Sequence, residues 1–205
     1  MSAMHPFRFL RLLPLLLLPA PAALWAQNFT GGLSLGMNAS QVDGDGATGF
    51  NQAGLNAGGF VRYPLTRSVG LQPEIAFEQL GSSADGFRLL RISLISVPLM
   101  LTTRLPLDLG GEVRQIGVQA GVAGGLMVGA RSFNADVSEY FDRFDLRALG
   151  GVSFRATSEV EFLFRYGYSL TSFIRGEQNP GFSWLVRRGV FHHYVNLSLR
   201  WYVVR

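Results

Sequence analysis

The stretch "EVEFLFRYGYSL" (residues 159–170) alternates with a period of two. Val160, Phe162, Phe164, Tyr166, Tyr168 and Leu170 fall on one face, and Glu159, Glu161, Leu163, Arg165, Gly167 and Ser169 on the other. That period and the aromatic content predict a β-strand. The same alternation recurs and predicts eight strands, over residues 29–40, 52–63, 70–80, 88–102, 114–129, 144–156, 159–170 and 190–204. In the first, Leu33, Leu35 and Met37 oppose Ser34, Gly36 and Asn38; in the last, Val195, Leu197, Leu199, Trp201 and Val203 oppose Tyr194, Asn196, Ser198, Arg200 and Tyr202. The fourth changes phase. Leu90, Ile92 and Leu94 share one parity, and Ile95, Val97, Leu99 and Leu101 the other. Such a change predicts a bulge in that strand, and Pro98, which has no N–H, predicts a break in the ladder.

The connections alternate in length. Residues 64–69, 103–113 and 156–160 are mostly short, whereas 41–51, 81–87, 130–143 and 171–189 are mostly longer and more polar. An antiparallel meander puts every second connection at the same end. Short turns on one rim and long loops on the other are the pattern of an outer-membrane barrel. The fold class expected is all-β: an eight-stranded antiparallel up-and-down transmembrane β-barrel.

The distribution of charge decides which face is inside. Arg62, Glu74, Glu78, Arg147, Arg155, Glu161, Arg165 and Arg200 share the polar face with Asn and Gln. An eight-stranded barrel has a narrow interior filled by side chains. There, acids and arginines from neighbouring strands can pair, and the guanidinium fork suits a carboxylate. These eight residues are therefore expected to form a structural charge network inside the barrel. The other face is almost wholly apolar, which lipid requires and water disfavours. Tyr63, Tyr166, Tyr168 and Trp201 are candidates for aromatic girdles. The competing reading is a secreted soluble barrel or sandwich with a ligand cavity, in which the two faces are inverted.

Composition agrees with the lipid-facing reading. Charged residues are only 16 % of the 205, against about 25 % in soluble domains. All 18 basic residues are arginine, there are 14 acids, and the sole basic run is Arg187-Arg188, so nucleic acid is not an expected partner. Absence of cysteine excludes disulfides and thiol chemistry. The start, "MSAMHPFRFLRLLPLLLLPAPAALWAQ", has a positive end, an apolar centre and small residues before Gln27. It reads as a secretory signal peptide cut after Ala26. An uncleaved anchor helix is the alternative, and Pro14, Pro19 and Pro21 argue against it. The expected organisation is a signal peptide over residues 1–26 and an outer-membrane barrel over 27–205.

A run of short motifs carries a family likeness. "GGLSLGMNAS" (31–40), "GLNAGGFVRYPLT" (54–66), "LQPEIAFEQLG" (71–81), "SVPLML" (96–101), "GVQAGVAGG" (117–125) and "FRYGYSLTSF" (164–173) together resemble the outer-membrane β-barrel domain of PorT-like proteins of Bacteroidetes. The resemblance implies an eight-stranded outer-membrane barrel. One branch of that family is associated with protein secretion, a role not carried over to this chain. Such barrels often end in an aromatic residue, whereas this chain ends "WYVVR", leaving Trp201 and Tyr202 to serve for insertion.

Candidate chemistry is sparse. His192 and His193 are the histidines beyond the leader, and successive strand residues point to opposite faces. Ser172 or Ser183 would have to approach one of them to make a lipid-modifying rim enzyme. "DGDG" (43–46) offers Asp43 and Asp45 but lacks the remaining ligands of a calcium loop. Tyr140, Phe141, Arg175, Phe182, Trp184, Arg187 and Arg188 are candidate surface-loop contacts for a partner or an anionic head group. The expected function is an integral outer-membrane protein with a structural, surface-binding or partner-docking role and no catalysis. A rim enzyme, or a narrow channel or secretion component, is the alternative. No cofactor or metal is expected. The expected partners are outer-membrane lipid and another envelope protein met through the long loops, with the chain itself a monomer.

Overall fold

The computed structural model describes residues 29–43, 49–84, 87–109, 112–133, 135–172 and 191–204. The predicted leader lies outside these residues. The strands are β1 (Thr30–Asp43), β2 (Gln52–Pro64), β3 (Val69–Ala84), β4 (Phe87–Leu109), β5 (Glu112–Ser132), the two-residue β6 (Ala135–Asp136), β7 (Phe144–Arg155), β8 (Val160–Ser169) and β9 (Phe191–Val204). A single turn of 3-10 helix, Ser138–Tyr140, follows β6. Consecutive long strands pair antiparallel, and β1 pairs with β9 from Gly31↔Val204 to Asp43↔Phe191. With β4 paired to β5, the sheet closes into an eight-stave barrel, and β6 hangs from β5 through Arg131↔Asp136. The start of β1, the end of β9 and the turns at 65–68 and 156–159 share one rim, and the connection at 137–143 lies at the other.

Side chains alternate across the wall as strand geometry demands. Leu33, Leu35 and Met37 are 64 %, 61 % and 60 % exposed on the outside, whereas Asn38, Arg147 and Arg200 are at most 1 % exposed within. The inverted, soluble arrangement is thereby overturned. Trp201 and Tyr63 stand outside near the short-turn rim, and Tyr166 and Tyr168 near the long-loop rim. Tyr202 points into the barrel and donates a hydrogen bond to Glu161 Oε2 at 2.9 Å, so only Trp201 of the terminal pair faces outward.

Three details depart from the strand pattern read in the sequence. The β4 phase does not change: Ile92, Leu94, Ser96, Pro98 and Met100 all face inward. The irregularity belongs to β5, where Ser93↔Gly129 is followed by Leu94↔Met127, leaving Val128 as the extra residue. Leu90, Ile92 and Leu94 mislead because the barrel interior turns apolar at the long-loop end. Second, β4 and β5 pair through Asp108↔Val113, so most of 103–113 is a two-stranded ribbon rather than a turn. Third, β3 and β4 pair out to Ala84↔Phe87, which shortens the connection at 81–87. Pro98 does interrupt its ladder: β3 and β4 have no pair between Pro73↔Leu99 and Ala76↔Ser96.

Candidate functional site

Inside the wall, side chains stack in three levels. Nearest the short-turn rim, Glu161 accepts from Tyr202 and faces Arg200 Nη1 at 3.7 Å and Arg155 Nη2 at 3.8 Å. Glu74 sits just above. It takes both prongs of Arg165 at 3.0 and 2.7 Å, Arg200 Nη2 at 2.7 Å and Gln72 Nε2 at 2.7 Å. Arg165 also donates to Gln119 Oε1 at 2.9 Å. Arginine forks of this kind give short, charge-assisted bonds that hold both partners in place.

The second level is built on Arg147, which is fully buried. Its Nη1 donates to Glu78 Oε2 at 2.5 Å and to the Tyr194 hydroxyl at 3.0 Å, its Nη2 donates to Ser96 Oγ, and its Nε stands 2.8 Å from Asp145 Oδ2. Glu78 accepts further from Ser96 Oγ at 2.5 Å and Asn56 Nδ2 at 3.2 Å. Tyr194 reaches the centre because Gly167 lies beneath its ring; a Cβ there would overlap it. Glu74, Arg155, Glu161, Arg165 and Arg200 thus form one set of linked ion pairs, and Glu78, Arg147 and Asp145 a second. Arg62 stands apart at the short-turn mouth, bonded to the Tyr202 hydroxyl and beside Arg104. Asp145 and Tyr194 are the members that sequence reasoning missed. Asp145 sits two residues before Arg147, on the same strand face, a signal that was available.

The third level is apolar: Val42, Leu80, Ile92, Leu94, Met127 and Ala130, covered by Val137 and Phe141 from the connection after β6. Between this cluster, Asp145 and His192 the remaining cavity is about 10 Å³. Ser138 staples that connection down: its Oγ donates to Asp136 Oδ1 at 2.6 Å and accepts from the Ala130 N–H at 2.8 Å. Those bonds from Ser138 hold the exposed Asp136 carboxyl below its usual 3.8. Phe133, at the tip of the turn, has φ of 52° and is 67 % exposed. A bulky residue in the left-handed region is uncommon and strained. Tyr140 is 62 % exposed, whereas Phe141, next to it in sequence, turns inward. Arg175, Phe182, Trp184, Arg187, Arg188 and Ser183 lie outside the described residues, as does Asp45.

The two histidines part company across the wall. His192 is buried, with Nε2 3.2 Å from Asp145 Oδ2. Ser169 Oγ donates to the other oxygen of Asp145 at 2.9 Å. The carboxylate stands between hydroxyl and imidazole, whereas a serine nucleophile needs the imidazole in the middle. These three side chains therefore do not form a nucleophilic relay. His193 lies outside among Phe50, Tyr166 and Tyr168, with Nδ1 3.5 Å from Asp43 Oδ1. Among the described residues no group of three or more His, Asp or Glu converges as a metal site.

The family model of the outer membrane protein beta-barrel domain matches residues 11–185. Comparison with curated proteins finds no match. Among solved structures, Neisserial surface protein A is similar with a TM-score of 0.50 and 11 % identity, covering 85 % of this chain and 96 % of that one. Ail, the attachment invasion locus protein of Yersinia pestis, aligns with a TM-score of 0.45 and 16 % identity over 84 % of this chain and 97 % of its own. Ail in complex with the heparin analogue sucrose octasulfate aligns with a TM-score of 0.46 and 16 % identity, over 85 % and 99 %.

Proposed function

The chain belongs to the outer membrane protein beta-barrel domain family, and from that premise we propose that it is a non-catalytic barrel which docks another envelope component through its long-loop rim. One observation carries this reading. The interior is closed at successive levels by fully buried ionic and apolar side chains, while the rim above exposes Phe133 and Tyr140. A filled interior favours a scaffold over a channel. Exposed aromatic side chains on a rim favour contact with a partner. In this reading the leader is removed after Ala26, the barrel is monomeric in outer-membrane lipid, and the long loops face outward from the cell. The PorT-like motif run supports the same fold and carries no secretion role here.

The absence of cysteine makes the test direct. Tyr140→Cys and Ser68→Cys place a thiol on opposite rims, at exposed positions. A membrane-impermeant maleimide is expected to label Tyr140→Cys in intact cells and Ser68→Cys only after lysis. A photo-crosslinker attached through Tyr140→Cys should then yield a discrete protein adduct. Labelling of Ser68→Cys alone in intact cells refutes the orientation, and the absence of any protein adduct refutes docking.

A further inference from the structure

At the short-turn mouth the interior opens into a cavity of about 320 Å³, lined by Arg62, Arg67, Arg104, Thr66, Ser68 and Gln115. Its lining differs in kind from the levels above. Arg147, Arg165 and Arg200 each lie against a carboxylate. Arg62, Arg67 and Arg104 converge on a space that no described acid lines. Arg104 acts on Arg62 as a repelling like charge. Glu161, the acid that does attract Arg62, is already engaged by Arg155, Arg200 and Tyr202.

The cavity is also shaped to hold its cations in place. Gly70 backs Arg62: a Cβ there would lie 3.0 Å from its Nε and 3.2 Å from Thr102 Oγ1, so glycine lets the guanidinium rest against β3. In the turn, Thr66 Oγ1 accepts from the N–H groups of Ser68 and Val69 at 3.2 and 3.0 Å. That fixes the hydroxyl at the cavity edge and leaves its hydrogen available to donate. Converging guanidiniums with hydroxyl donors match a tetrahedral oxyanion, because the arginine fork binds two phosphate oxygens at once. An anion between Arg62 and Arg104 also replaces their repulsion by two attractions.

We propose that this mouth is a binding site for a phosphate group, held by Arg62, Arg104 and Arg67. The phosphate has two sources, free inorganic phosphate and the head group of a neighbouring phospholipid.

The test is calorimetric titration of the full barrel in maltoside detergent with inorganic phosphate at constant ionic strength. A single saturable site is expected. Arg62→Gln with Arg104→Gln should weaken it by at least about tenfold, whereas Arg131→Gln with Arg143→Gln, an equal loss of charge on the opposite rim, should leave it intact. Heat-dependent migration on gels verifies that each variant has closed its barrel. If the double variant does not fold, Arg67→Gln in the exposed turn is expected to weaken binding by about threefold or more. No saturable heat with the wild type, or undiminished binding by a folded Arg62/Arg104 variant or by Arg67→Gln, overturns the proposal. Repeating the titration in lipid nanodiscs separates the sources. Suppression of the signal by phosphatidylglycerol, but not by a phosphate-free galactolipid, assigns the site to a head group. A signal retained in both assigns it to soluble phosphate.

Discussion

Arg147 is the side chain on which the interior depends most. It meets Glu78, Asp145, Ser96 and Tyr194, and none of its surface reaches solvent. Arg155 makes a similar ion pair on paper, but its side chain is 24 % exposed and its contact with Glu161 is 3.8 Å long. The physics separates them. Removing one partner of a buried pair leaves an uncompensated charge and costs about 3–5 kcal/mol, whereas an exposed pair is worth at most about 1 kcal/mol. Arg147→Leu is therefore expected to lower unfolding stability by about 3–5 kcal/mol and Arg155→Leu by less than about 1 kcal/mol. Urea unfolding in detergent, followed by tryptophan fluorescence, measures both, and equal losses would contradict the layered network. That ionic residues gather on one strand face is legible from period two alone. Which acid meets which arginine is not, because Glu78 and Arg147 are 69 positions apart and are joined only by the register of the closed wall.

At the scale of the element, eight staves are legible because a wall with one oily and one polar face writes its period into the chain. That rule fails where the interior is itself apolar. Leu90, Ile92 and Leu94 read as lipid-facing, yet Ile92 and Leu94 lie in the buried apolar cluster and Leu90 packs against it together with Val137 and Phe141. Nothing local distinguishes the two environments, since the cover comes from a connection some forty residues downstream. The bulge at Val128 is the device that reconciles β5 with this change: Met127 and Ala130 both face inward, three residues apart. Deleting Val128 leaves Met127 and Ala130 two residues apart, so plain alternation still turns both inward and keeps Arg131 outward. The deletion is therefore expected to keep the facing of every side chain, with Ala130 still protected from amide exchange and little change in the same urea titration. Loss of protection at Ala130 in a folded deletion variant would mean that the bulge itself, rather than the alternation on either side of it, holds these residues inward. Ser169 and Tyr194 show the other boundary of legibility. Both sit on predicted polar faces, but their roles follow from the depth to which Gly167 admits a ring.

The whole molecule is a ring of antiparallel neighbours without a free edge, and an open edge is what hydrocarbon cannot tolerate. Its two rims differ in chemistry. One carries exposed aromatic rings above an oily plug, and the other a cluster of guanidiniums around a cavity. The seam between β1 and β9 is bonded along its length like any other pair of staves. Gly31 is paired with Val204, so the start of β1 and the end of β9 are already side by side. The order of staves around the cylinder is therefore independent of where the polypeptide is opened. A circularly permuted chain, cut within 65–68 and joined across the old ends by a short glycine-serine bridge, should assemble the same cylinder, with the same heat-dependent mobility and the same buried Glu78–Arg147 pair.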